Sequence, residues 1–306
     1  MTAVAPVRVA VPRKGRPLEA VLDRVAALAD ATQVADDVAS TLRYEKAVTK
    51  GQQTEDRSVY ERLAAYSDPT DPSKPDYTLL RDARAGKPRR IVFDSLSLSL
   101  DGTPVELVGR EEPFRALRTH EFALGFDSAD LVLEEVVELR PEPLTSIADV
   151  NERIDPVDTD VRVVSGLGDT VFHTLLATPA SRDGVDAPDL DRAFLDAYEG
   201  AVCISPRYER LVEAVLGTDV TDGLRFTYPS GDHDEEEEGA IADTGVGVYL
   251  TVTGSTAREH GLDVGEQLFP SETVLMENQH ETDGGDVAAV REALTADPAE
   301  TAIPPQ

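Results

Sequence analysis

The stretch Thr251 to Leu262, TVTGSTAREHGL, sets Thr253, Ser255 and Thr256 around Gly254 and runs straight into a helical segment. Two chemistries suit that pattern. Backbone N–H groups and hydroxyls converging on a helix start can hold a phosphate, because that end carries partial positive charge and glycine permits close approach. The same residues also make an ordinary Ser/Thr helix cap. A second candidate is the turn Arg13-Lys14-Gly15-Arg16, three cations directly after an apolar strand. Sheets of α/β proteins bind ligands at that end of their strands. The turn either meets an anion or balances nearby carboxylates. Asp130 and Glu134 stand four apart, so on a helix they share one face, as a ligand-facing pair or as a solvated acidic surface.

These residues need elements to position them. Val7, Val9 and Val11 alternate as in a strand, and Leu18, Val21, Leu22, Val25 and Leu28 then recur at helical spacing. Residues 30 to 90 are polar and rich in turn formers, and read as an exposed insertion with one or two short helices. IVFDSLSLSL alternates and ends in Asp-Gly, which predicts a hairpin whose second strand is Val105 to Val108. PFRALRTHEFALGFDSADLVLEEV reads as helix, short strand, turn, then helix or strand. VRVVSGLGDTVFHTLLATP holds two strands, DLDRAFLDAYEG a helix, and AVCISPRYERLVEAVL a strand entering a helix. LRFTYPSG is a strand, DHDEEEEGAIAD an acidic loop, EQLFPSETVLMEN a last strand, and the remainder a polar tail. Alternating strands and helices predict an α/β protein with largely parallel sheets.

Composition narrows the setting. The 306 residues suit two packed domains. Acidic residues number 59 against 29 basic, for a formal net charge of −30, and only five of the basic residues are lysine. This balance reads as a halophilic surface, because at 1 M salt the Debye length falls to about 3 Å and carboxylate repulsion is screened. So acidic a surface argues against nucleic acid or an anionic membrane as partner. The single cysteine, Cys203, excludes an internal disulfide and sits in an apolar strand, as core does. No signal peptide or membrane-spanning run is visible, which predicts a cytoplasmic protein. The five histidines show no metal-ligand spacing, and no Walker loop or nucleophile elbow is present.

Four segments, in order, resemble the catalytic part of ATP phosphoribosyltransferase, the first enzyme of histidine biosynthesis. VRVAVPRKGRPLEAVL is similar to that family's opening strand and Lys-Gly-Arg turn, here Lys14, Gly15 and Arg16. HEFALGFDSADLVLEE resembles its Leu-Gly-Ile-Thr-Gly-x-Asp segment, with Leu124, Gly125, Asp130 and Glu134 matching. AVCISPRYERLVEAVL is similar to its Ala-Thr-Lys-Tyr-Pro segment, and GAIADTGVGVYLTVTGSTAREHGL to its phosphoribosyl diphosphate loop. The chain departs from the pattern at Val252 and Tyr249, where the family carries acids, and at Ile204, where it carries lysine.

The resemblance implies two α/β domains like those of type II periplasmic binding proteins with a cleft between them. Residues 1–135 plus 262–306 would form the first, including the insertion, and 136–261 the second, carrying the phosphate loop. It implies transfer of phosphoribosyl from phosphoribosyl diphosphate to N1 of ATP, with Mg2+. Lys14, Arg16 and Asp130 would be catalytic. Thr253, Gly254, Ser255, Thr256, Asp243 and Glu134 would hold phosphoribosyl diphosphate, and Arg13 and Arg207 the nucleotide. The missing acids keep two alternatives open: a non-catalytic paralogue that senses a nucleotide or sugar phosphate, and transfer to another acceptor. About 28 residues follow Asn278. That is short for the regulatory domain of long family members, so a homo-oligomer or a partner regulatory subunit is expected.

Overall fold

The computed structural model describes residues 5–68, 70–71, 74–81, 89–229, 237–282, 284–295 and 301–302. Parts of the 30–90 stretch, most of the acidic run with His233, and the last four residues lie outside these. In chain order the strands are β1 (Val7–Pro12), β2 (Asp76–Arg81), β3 (Arg89–Leu100), β4 (Thr103–Arg110), β5 (Leu124–Ser128), β6 (Val161–Gly166), β7 (Val171–Ala177), β8 (Ala201–Ile204), β9 (Arg225–Thr227), β10 (Val246–Thr251), β11 (Asp263–Ser271) and β12 (Thr273–Asn278). The chain forms two compact units, each mixed α/β with its own sheet. The first comprises Met1–Asp127, Asp160–Leu167 and Thr273–Glu300, and the second Ser128–Thr159, Gly168–Glu272 and Thr301–Gln306.

The first sheet runs β13-β6-β12-β5-β1-β4-β3-β2, where β13 is the two-residue strand Thr301–Ala302 at its edge. β1 is central, parallel to both β4 and β5. Val9, Ala10 and Val11 are therefore all fully buried, as a strand covered on both faces requires. Helix Arg16–Leu28 buries Leu18, Val21, Leu22 and Val25, as their spacing foretold, together with Ala26, whereas Leu28 in its last turn is exposed rather than part of the stripe. The β3–β4 hairpin forms as expected, in an antiparallel register closing at Leu100 and Thr103.

The 30–90 stretch is a correction. It supplies an 18-residue helix, Thr32–Thr49, a shorter one, Val59–Tyr66, and strand β2, antiparallel to β3. Ala35, Val38 and Tyr77 are core residues. Its polarity misled because part of it is internally paired: buried Glu45 accepts from Arg62 Nε at 2.8 Å, Arg62 Nη2 at 3.0 Å and Tyr66 Oη at 3.0 Å. A buried charge is tolerated only when matched in this way.

The second unit's sheet runs β11-β7-β10-β8-β9. β7 is antiparallel to β10 and β11, whereas β8 is parallel to β10 and β9. Both sheets are thus mixed rather than largely parallel. The expected last strand is two strands, β11 and β12, and they belong to different sheets. β11 lies in the second unit, so the chain returns to the first unit at Thr273 rather than at residue 262. The tail also carries a helix, Gly285–Leu294, with Val290 and Leu294 buried, and the described end of the acidic stretch, Glu237–Thr244, is helical rather than a loop. Among the described residues no helix is long and apolar enough to cross a membrane.

Candidate functional site

β10 delivers the chain to Thr251, whose hydroxyl meets that of Thr174 on β7 at 2.6 Å in a buried contact. Val252 then stands 78% exposed, and Gly254 turns the backbone with φ 68° into helix Ser255–Glu259. That left-handed conformation suits glycine. A Cβ there would also come within 2.9 Å of Val264 Cγ2. The cap position is the glycine itself, with no side-chain cap bond. Thr253 Oγ1 lies 3.0 Å from Ser255 Oγ and accepts the Ser255 N–H at 3.4 Å, while Arg258 donates to the Thr253 carbonyl at 3.0 Å. Thr253 and Ser255 are exposed and Thr256 half-buried. The result is a stiffened, hydroxyl-rich turn open to solvent.

Asp130 and Glu134 share helix Ala129–Val136, as their spacing foretold, but neither is a solvated surface acid. Asp130 is 1% exposed, and its Oδ2 lies 3.6 Å from His173 Nε2 on β7. The His173 ring packs edge-on against Tyr208 with centroids 5.4 Å apart. Burial pushes the Asp130 carboxyl up, but the His173 ring and the Ser128 and Ser271 hydroxyls outweigh it and bring the carboxyl down to about 2. Burial and the Asp130 charge push the Tyr208 phenol up, so it stays a donor. Nothing local in the sequence pairs these residues. They meet only because the sheet sets β7 beside the start of that helix.

Glu134 accepts the backbone N–H groups of Leu211 at 3.0 Å and Arg210 at 3.4 Å, closing the first turn of helix Glu209–Leu216 from outside. Burial raises its carboxyl despite those bonds. Glu134→Ala is expected to cost about 1–2 kcal/mol by urea denaturation, the magnitude of a lost helix cap. Glu134→Gln keeps an acceptor oxygen and is expected to cost less.

In the first unit, Arg13 is held by the Gly109 carbonyl at 3.0 Å and by Asp94 at 3.4 Å. Lys14 Nζ lies 3.5 Å from Glu111, and Arg16 opens helix Arg16–Leu28. The three cations stay together in one turn, as read. Arg207 is exposed in the 3-10 turn Pro206–Tyr208, and Asp243 is exposed on helix Glu237–Thr244. Tyr249, which stands at the place of a family acid, donates its hydroxyl to Glu237. A carboxylate therefore reaches that strand position from the neighbouring helix. Burial and Glu237 both push the Tyr249 phenol up.

Residues 2–305 match the family described as halobacterial ATP phosphoribosyltransferase. The chain belongs to that family. Among solved structures it is similar to an ATP phosphoribosyl transferase (HisG:HisZ) complex from Thermotoga maritima, at 14% identity and TM-score 0.41, covering 94% of this chain and 96% of that one. A periplasmic substrate-binding protein of an ABC transporter from Coxiella burnetii matches at 10% identity and TM-score 0.32, covering 64% of this chain and 81% of that one. The BvgS periplasmic VFT2 domain from Bordetella pertussis matches at 15% and 0.34, covering 64% and 72%. No curated protein matches the sequence. Membership of the halobacterial ATP phosphoribosyltransferase family rests on the match over nearly the whole chain.

Proposed function

We propose that this chain transfers phosphoribosyl from phosphoribosyl diphosphate to N1 of ATP, the first step of histidine biosynthesis. The turn at Gly254 supports the reading: a left-handed glycine opens a helix start flanked by the exposed hydroxyls of Thr253 and Ser255 and by half-buried Thr256. In this proposal the segment grips the 5′-phosphate. Lys14 and Arg16 stabilise the departing diphosphate, and Arg13 and Arg207 contact the nucleotide. Asp243 lies on the solvent side of its helix, available to a ribose hydroxyl. The bond from C1′ to the diphosphate oxygen breaks, that oxygen keeps the electron pair, and adenine N1 bonds to C1′. The protein's contribution is alignment and charge rather than covalent chemistry.

Among the described residues no group of three or more His, Cys, Asp or Glu side chains is placed to hold a metal ion. In the proposal Mg2+ comes with diphosphate oxygens and its own waters, as it commonly does, and no step depends on a protein ligand to it. Asp130 is buried against His173, so in this proposal it acts through that side chain as a positioning residue rather than by touching substrate.

Purified chain in molar potassium chloride with ATP and Mg2+ is expected to consume phosphoribosyl diphosphate and release diphosphate. A second reading, binding without transfer, is favoured by the burial of Asp130 and the engagement of Glu134 in a helix cap. Calorimetry separates the two. Tight phosphoribosyl diphosphate binding with no turnover on any nucleobase or nucleotide acceptor supports the sensor, and no binding at all removes both.

A further inference from the structure

The first unit contains a cavity of about 420 Å³, one wall of which is the insertion helix Thr32–Thr49. Its size lies within the roughly 300–1,000 Å³ of small-molecule sites. Five cations line it: Lys14 and Arg16 from the turn, Arg43 and Lys46 from the insertion helix, and Arg90 from β3. Two carboxylates, Glu19 and Glu45, also line it. Glu45 is already matched by Arg62 and Tyr66, and Glu19 by Arg43 at 2.5 Å. Among the described residues no ion pair engages Lys46 or Arg90. In a chain of net charge −30, a cavity with this local excess of positive charge is a departure that packing does not explain. The 13-residue helix Arg16–Leu28 also begins here, behind Gly15, with no side-chain cap bond. Its partial positive charge adds to that of the cations.

We propose that this cavity binds the polyphosphate chain of a small molecule, with Arg43, Lys46 and Arg90 extending the Lys14-Gly15-Arg16 turn into an anion site. Cations on a turn, a helix and a strand surround the space from separate directions. That arrangement suits several linked phosphates better than one compact anion. It rests on the reading of Lys14 and Arg16 above only in linking that ligand to a diphosphate-bearing substrate; the cavity and the insertion residues are independent of it. The proposal gives the 30–90 stretch a role that its fold alone does not. In molar salt, long-range attraction is screened, so binding must come from contacts within a few ångströms.

The test is calorimetry on the full chain in molar potassium chloride with inorganic tripolyphosphate, diphosphate and orthophosphate. Tripolyphosphate is expected to bind at least about tenfold more tightly than orthophosphate, since each added charge-assisted contact contributes roughly that factor. Lys46→Ala and Arg90→Ala are each expected to weaken tripolyphosphate about tenfold on the same basis, with unchanged melting temperature because neither side chain holds an ion pair among the described residues. Equal affinity in wild type and double variant, or no preference for the longer chain, overturns the site. Phosphoribosyl transfer is assayed on the same preparations. Variant-sensitive tripolyphosphate binding without transfer keeps the cavity and removes the catalytic proposal, whereas transfer with variant-insensitive binding does the reverse.

Discussion

Asp130→Ala is expected to lower folding stability by about 3–5 kcal/mol, the usual cost of stripping one partner from a buried pair. The carboxylate is fully buried and faces His173 Nε2, which has no hydrogen-bond partner among the described residues and depends on Asp130 at 3.6 Å for compensation. The pH dependence fixes the sign. The Asp130 carboxyl falls from an ordinary 3.8 to about 2 in the folded chain, so its stabilisation is complete above pH 4 and disappears as pH falls through 2. That window is worth on the order of 2 kcal/mol. Urea denaturation across it should show wild-type stability dropping with acid and Asp130→Asn staying flatter. A His173→Ala, Asp130→Ala double variant should lose much less than the sum of the singles. Additive losses would show that the two side chains do not act together.

What the sequence made legible and what it hid have the same physical origin. Local patterns were readable where one face decides the outcome: the Leu18-Val21-Leu22-Val25 stripe, the β3–β4 hairpin and the Gly254 turn all appeared as read. The burial of the 30–90 stretch is hidden in the sequence because it depends on Glu45 meeting Arg62 and Tyr66, a match no periodicity reveals. The resemblance implies a return to the first domain at residue 262, and EQLFPSETVLMEN reads as one strand. Only the pairing of β11 with β7 and β12 with β6 shows that the chain passes between sheets within it. At the candidate site, the family segments single out residues 253–256 and 13–16 but carry no sign that His173 and Tyr208 surround Asp130. Such contacts are set by tertiary packing, and an isolated histidine in an apolar strand carries no mark of its partner.

Gly254→Val is expected to weaken phosphoribosyl diphosphate binding about a hundredfold, the loss of roughly two charge-assisted hydrogen bonds at about tenfold each. The argument compares two glycines that flank one short helix. Gly254 has φ 68° and Gly261 has φ 74°, so both occupy a region that strains any residue with a Cβ. Gly261 has nothing within 4 Å of the site of a Cβ, whereas at Gly254 that atom would approach Val264 Cγ2 to 2.9 Å. Gly261→Ala therefore adds only backbone strain, about 1 kcal/mol of stability, and should leave ligand affinity within about twofold. A valine at 254 adds the strain of a branched side chain and must displace Val264 or the turn itself. Either movement shifts the Thr253 and Ser255 hydroxyls and the Thr256 N–H with which the proposal grips the 5′-phosphate. Calorimetry with phosphoribosyl diphosphate on the two variants, each checked for an intact melting transition, reads the difference. Equal affinities at 254 and 261 would mean that the turn positions a helix and not a phosphate.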